Sequence, residues 1–232
     1  MIYVESRKRS LKNLQNKYPQ ATIIDVTSKG KEPWIKVSPF YPHGKIPIPF
    51  SAGYYGDSVE GIWQGLKVFE KEDIDESKFS IRDMKGIKRT VRKFGKPLGH
   101  RKGVNGIELL DYLTARKDIY LRTYGWMLDN KASDVIQLLK IEAEKNDLVL
   151  LDFDTNGDID NLKKPLSHAA LVKRYIEKKY PELAHLTFEA NAPAIDYLSK
   201  LGVTAKKTKA AKSSKKVKGK KSSNDSAQLT LL

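Results

Sequence analysis

Residues 57–69 read DSVEGIWQGLKVF, and the rest of the chain can be read as their surroundings. Asp57 and Glu60 stand in N-cap and N3 relation, a capping-box spacing with Asp in place of Ser or Thr. Val59, Ile62, Trp63, Leu66 and Phe69 then recur at helical intervals, so the spacing predicts one capped amphipathic helix with one apolar stripe. Glu60, Gln64 and Lys67 recur at i, i+4 and i+7 on a different stripe, which lines up a carboxylate, an amide and an amine one turn apart. On spacing alone, such a row is the solvated face of a surface helix. The preceding segment argues for a pocket instead. SPFYPHGKIPIPFSAGYYG (38–56) is rich in Pro, Gly and aromatics and nearly free of charge, in a chain whose residues are 31% charged. Rigid turns and aromatic rings beside a helix N-terminus suit a wall for a flat, anionic ligand.

Before this core stretch, residues 6–18 read as a basic helix ended by Pro19, Thr22 to Val26 as a β-branched strand, and Trp34 to Val37 as a second strand. After it, residues 70–77 form an acidic connector, followed by a basic run that holds no acid between Asp83 and Glu108. This run carries Lys85, Lys88, Arg89, Arg92, Lys93, Lys96, Arg101 and Lys102, with glycines that permit close backbone approach. It is either a solvated face or a phosphate cradle. In a cradle Arg101 is the bidentate candidate, and Lys93 and Lys102 act as point charges beside Arg92. The G-x-x-x-x-G-K-[ST] pattern of a nucleotide-triphosphate loop is absent.

Residues 107–116 and 120–129 predict two helices, residues 133–146 a clear amphipathic one, and Leu148 to Phe153 a buried strand. The strand delivers an acidic loop, Asp152-Phe-Asp-Thr-Asn-Gly-Asp-Ile-Asp160, which copies much of an EF-hand calcium spacing. Its twelfth place is Lys163, where calcium needs a bidentate Glu, and a strand precedes it where an EF-hand needs a helix. Carboxylates at the end of a core strand are better placed for catalysis, because such strand ends open on ligand crevices. Pro165 then starts a helix to about Lys179, whose His168 reads as a satisfied helix-start residue rather than a ligand, and Asn191 caps a last helix over 193–201.

The order Ser38-Pro39-Phe40-Tyr41-Pro42, then Ser58-Val59-Glu60, then Gln64 and Lys67, resembles the opening signature of the NADAR superfamily of N-glycosidases. The resemblance implies a ligand that is a ribosyl phosphate or an ADP-ribosyl group, attached through an N-glycosidic bond. It implies Glu60, Lys67, Asp152 and Asp158 as catalytic candidates. Phe40, Tyr41, Trp63, Gln64 and Trp126 become ligand-binding candidates, beside the cations already named. The Trp-Gly that follows the later acid in that superfamily is missing here. No cofactor and no metal are called for.

The formal net charge is +15, unevenly spread. Nine of the 43 Lys and Arg but only one of the 28 acids fall from Ala205 onward, which leaves 34 basic and 27 acidic residues before it, a surplus of seven. So mild a surplus favours a phosphate-bearing partner without naming it. With no cysteine there is no disulfide framework and no thiolate site. No apolar run approaches membrane-spanning length and the first residues lack a signal-peptide core, so the expectation is a cytoplasmic, DNA-associated protein with no membrane partner.

The expected architecture is a single α+β domain over 1–203, mainly helical with a small sheet. A Lys-rich segment over 204–227 has too little apolar content to order itself. The final Gln228-Leu229-Thr230-Leu231-Leu232 resembles a bacterial sliding-clamp-binding motif, with Gln228, Leu229, Leu231 and Leu232 as its contact residues. The primary expectation is hydrolysis of an N-glycosidic bond. The rivals are a non-catalytic accessory protein that binds nucleic acid through the basic stretch and tail, held to a clamp, and an ADP-ribose reader.

Overall fold

The computed structural model describes residues 1–182; the helix expected over 193–201, the Lys-rich segment and the clamp-like peptide lie outside the described residues. The chain begins with a strand the sequence did not advertise, β1 (Ile2–Ser6), so the basic helix starts late: α1 is Leu11–Lys17. Ser10 caps it, its hydroxyl accepting from the Asn13 amide at 3.3 Å. The β-branched run forms β2 (Thr22–Asp25), as its composition requires. Trp34–Val37 is not a strand but a 3-10 turn. Pro33 enters it with φ −85° and ψ −6°, already helical, and the Lys36 and Ser38 amides bond back to Pro33 and Ile35.

The Pro-rich segment holds a small antiparallel pair, β3 (Ile46–Pro47) and β4 (Tyr55–Gly56). The central helix, α2, covers only Val59–Gly65. Its cap is Ser58, whose hydroxyl accepts from the Gly61 amide at 3.0 Å. Asp57 instead accepts from Arg82 Nε at 2.8 Å. Every residue of α2 is buried, so it has no solvated face. Its glycines allow this: a Cβ on Gly65 would meet the Phe79 ring at 2.1 Å, and one on Gly61 the Lys78 carbonyl at 2.5 Å. The chain turns at Leu66 into β5 (Lys67–Phe69), so Lys67 and Phe69 lie on a strand.

Next come a 3-10 turn over Glu76–Ser80, the single turn α3 (Val91–Phe94), β6 (Pro97–Arg101) and β7 (Leu109–Leu110). Strands β5, β6 and β7 form an antiparallel sheet in that order. The helix expected from Ile107 starts only at α4 (Tyr112–Ala115), because Asp111 is its cap, accepting from the Leu113 and Thr114 amides. It runs through a π-helical turn, Arg116–Leu121, into α5 (Arg122–Asn130). Then follow α6 (Ser133–Lys145), β8 (Leu148–Asp152) and α7 (His168–Ile176), capped by Ser167 rather than begun at Pro165.

The apolar run Leu148–Leu150 becomes the middle of a parallel sheet ordered β1-β8-β2, with Ile2 and Thr22 both in register with Leu148. A central parallel strand is covered on both faces, which is why its sequence is continuously apolar rather than alternating. The core spreads from it to Leu14, Ile62, Leu66, Tyr124, Met127 and Leu139. The result is a mixed α/β chain with more helix than strand. No helix of the described residues is long and apolar enough to cross a membrane.

Candidate active site

The carboxyl ends of β2 and β8 open on a cavity of about 330 Å³, bounded on its other side by α2 and β5. Such a position, outside the C-terminal ends of parallel strands, is where open sheets bind ligands. Glu60, Trp63 and Gln64 reach it from α2 and Lys67 from the start of β5. Asp152, Phe153 and Asp154 come from the end of β8, and Thr27 and Ser28 from the end of β2. Phe40 closes one side, with Lys88 and Thr90 next to it. Tyr112, Arg116 and Tyr120 present one face of the helical segment interrupted by the π turn, a feature often found at functional sites.

Glu60 is 8% exposed and its orientation is fixed by a chain of hydrogen bonds. The Arg89 amide donates to Gln64 Oε1 at 3.0 Å, which leaves Gln64 Nε2 to donate to Glu60 Oε1 at 2.9 Å. The Nζ of Lys67 makes no hydrogen bond or ion pair among the described residues. It lies 5.5 Å from the Trp63 ring centre and 6.0 Å from those of Phe69 and Tyr112. Burial pulls its pKa below the ordinary lysine value; Glu60 opposes this, and Arg89 and Lys88 add to it. Tyr120 is pushed the other way, by burial first and then by Glu60 and Asp152, and stays a neutral phenol.

At the opposite wall Asp152 Oδ2 accepts from Ser167 Oγ at 2.8 Å and from the Ala169 amide at 3.2 Å, and it lies 2.9 Å from His168 Nδ1. Burial alone would raise the Asp152 pKa, but His168 and these donors outweigh it and hold the carboxyl below its usual value. Burial likewise works against a charged His168; Asp152 and the Val26 carbonyl outweigh it and raise its pKa.

Several expected site residues stand elsewhere. Arg101 forks onto Asp73, at 3.1 and 2.7 Å, and Lys102 pairs with Glu108 at 2.9 Å, so neither cation reaches the cavity. Arg92 and Lys93 lie exposed on α3, outside the cavity wall. Tyr41 turns away to Glu32, at 3.2 Å, and Trp126 packs partly buried against the core. Asp158 closes a turn by accepting from the Asp160 amide at 3.0 Å. Trp63 does line the cavity, but His100 stacks on it at 3.7 Å, which covers one face of the indole. Among the described residues, no group of three or more His, Asp and Glu is arranged to hold a metal ion.

The basic stretch enters through a different residue from those the spacing favoured. Lys88 lines the cavity, its Nζ 5.4 Å from the Phe40 ring centre. Arg89, only 5% exposed, is a latch. Its head donates to the Gln64, Lys67 and Asp73 carbonyls, between the rings of Phe69 and Phe94 at 4.9 Å each. Arg116 similarly braces the acidic loop, donating to the carbonyls of Ile159 and Asn161 at 2.8 and 3.0 Å. Both arginines carry out tertiary fastening that sequence spacing does not encode.

A family model matches residues 6–172, a span that includes every residue lining the cavity. The chain belongs to DUF6939, a family of unknown function. A search of curated proteins returned no match.

Proposed function

We propose that the cavity binds a phosphorylated ribosyl or ADP-ribosyl group and hydrolyses its N-glycosidic bond. The observation that carries this reading is the pairing, in one cavity, of an oriented carboxylate, Glu60, with a Lys67 ammonium that has no acid partner among the described residues. Cleavage of an N-glycoside passes through an oxocarbenium-like state, so a fixed carboxylate beside the anomeric carbon stabilises the developing positive charge. Water adds its oxygen to C1 as the C1–N bond breaks, and the base leaves with a proton. Tyr112 and Phe40 are the rings at the mouth for the base, and Lys88 is the cation for a phosphate. Lys67, held near Glu60 with no acid paired to its Nζ among the described residues, is the second side chain able to meet the ligand's phosphate or ribose oxygens.

A second reading is favoured by a specific observation. Lys85, Arg92, Lys93 and Lys96 are exposed and make no ion pair among the described residues, which suits contacts to a nucleic-acid backbone. In that reading the protein is a nucleic-acid-binding accessory, and a reader of ADP-ribose is its non-catalytic relative. Chromatographic detection of free base from ribosylated and ADP-ribosylated substrates separates hydrolysis from both. Tight binding with no base released would remove the hydrolase.

A further inference from the structure

His168 is enclosed by acceptors. Its Nδ1 lies 2.9 Å from Asp152 Oδ2, and its Nε2 lies 2.9 Å from the Val26 carbonyl oxygen. Neither partner carries a proton to give, since one is a carboxylate held ionised and the other a backbone carbonyl. A neutral imidazole, in either tautomer, would set a nitrogen lone pair against an oxygen lone pair in a buried site. Only the imidazolium satisfies both contacts. The charged groups facing it are Asp152 from β8 and Asp25 from β2, both acidic.

This ring, with Ser167 and the Ala169 amide, occupies Oδ2 of Asp152. Among the described residues Oδ1 accepts from the Phe153 amide alone, at 2.7 Å, and so has acceptor capacity left on the carboxylate that lines the cavity. The Thr27 and Ser28 side of the same wall is polar without being cationic. A carboxylate fixed by one oxygen and under-used at the other is a receptor for hydroxyl groups.

We propose that His168, holding a proton on each ring nitrogen at neutral pH, is a positioning residue that presents Asp152 as an acceptor for sugar hydroxyls, so that the cavity selects ribosyl over 2-deoxyribosyl phosphates. This rests on the ribosyl-phosphate reading above and adds a discrimination that reading does not require. A ligand lacking the hydroxyl leaves the charged acceptor unpaired, which is the more costly side of hydrogen-bond recognition.

The test uses the full chain. In ¹⁵N-histidine NMR at pH 7.5, with His168→Gln to identify the resonances, both ring nitrogens of His168 carry protons. By calorimetry, ribose 5-phosphate binds about tenfold or more tighter than 2-deoxyribose 5-phosphate, as expected of a hydrogen bond to a charged group. Asp152→Asn has to turn its amide oxygen towards His168, putting an NH2 in place of Oδ1, so the preference collapses towards unity. A single protonated nitrogen on wild-type His168 overturns the proposal whatever binds. Equal, saturable binding of the two sugars overturns it while leaving the ribosyl-phosphate reading intact. Binding of neither sugar removes that reading, and hydroxyl selection with it. The NMR and the wild-type affinity ratio decide the matter even if Asp152→Asn does not fold.

Discussion

Replacing Arg89 with Met tests whether the basic stretch is fastened from inside. The guanidinium is 5% exposed and donates to three backbone carbonyls, those of Gln64, Lys67 and Asp73. Methionine keeps the stem between Phe69 and Phe94 but supplies no donor. Each carbonyl left without its charged donor costs about 1–3 kcal/mol, with the part-buried contacts to Lys67 and Asp73 and the long 3.4 Å contact to Gln64 all towards the low end. Arg89 Nε is buried with no partner, so removing it returns part of that cost. The net loss is on the order of 2–3 kcal/mol. With a urea dependence of about 2–3 kcal/mol per molar, the midpoint falls by roughly 1 M. Urea denaturation followed by tryptophan fluorescence measures this. A shift below about 0.3 M would refute the latch and return Arg89 to the pool of solvated cations.

Other outcomes follow from the same geometry. The folded pKa of His168 is raised, so its contribution to stability is complete below the unfolded value of 6.5 and is lost as pH rises through the folded value. That of Asp152 is depressed, so its contribution is complete above 3.8 and is lost as pH falls through the folded value. The thermal midpoint therefore holds best from about pH 4 to about 6.5, and His168→Gln lowers that plateau, as calorimetry across pH would show. Lys88→Ser weakens ribose 5-phosphate binding and flattens its salt dependence, whereas Arg101→Ser, already committed to Asp73, leaves both unchanged in titrations at two ionic strengths. Residues 228–232 lie outside the described residues; on the reading that they form a clamp-binding peptide, deleting them abolishes capture of a bacterial sliding clamp and leaves DNA affinity nearly intact. Replacing the lysines from Lys206 to Lys221 with Ser does the reverse in paired pull-down and filter-binding assays.

Local chemistry was the legible part of this chain. The β-branched run of β2, the amphipathic α6 and the apolar β8 announce themselves through period and composition, and Glu60 and Gln64 share a face as their spacing requires. The errors mark where distant contacts decide. Nothing near Gly65 signals that α2 ends there; the Phe79 ring packed against it requires a glycine, and the chain continues as a strand because His100 waits opposite Lys67. Lys67 still reaches the cavity beside Glu60, from the start of β5 rather than along a helical stripe. The fate of Arg101 was settled by Asp73, twenty-eight residues earlier in sequence, and no spacing rule reaches that far. Asp57 lost its capping role to the neighbouring Ser58, a one-residue ambiguity that the sequence leaves open. His168 reads as a satisfied helix-start residue, and it is one. Its two partners, Asp152 and the Val26 carbonyl, show what it is satisfied by.

The claim that Glu60 stabilises positive charge at an anomeric carbon is open to one kinetic comparison. Single-turnover base release is followed for wild type and Glu60→Gln on a ribosyl-phosphate N-glycoside, with substrate affinity measured alongside. The amide retains the shape and can still meet Gln64, but it lacks the charge. The account predicts a rate loss of about 10²-fold or more with affinity little changed, the signature of an interaction made chiefly in the transition state. Equal rates in the two folded proteins would contradict it and leave Glu60 as a buried structural partner of Gln64.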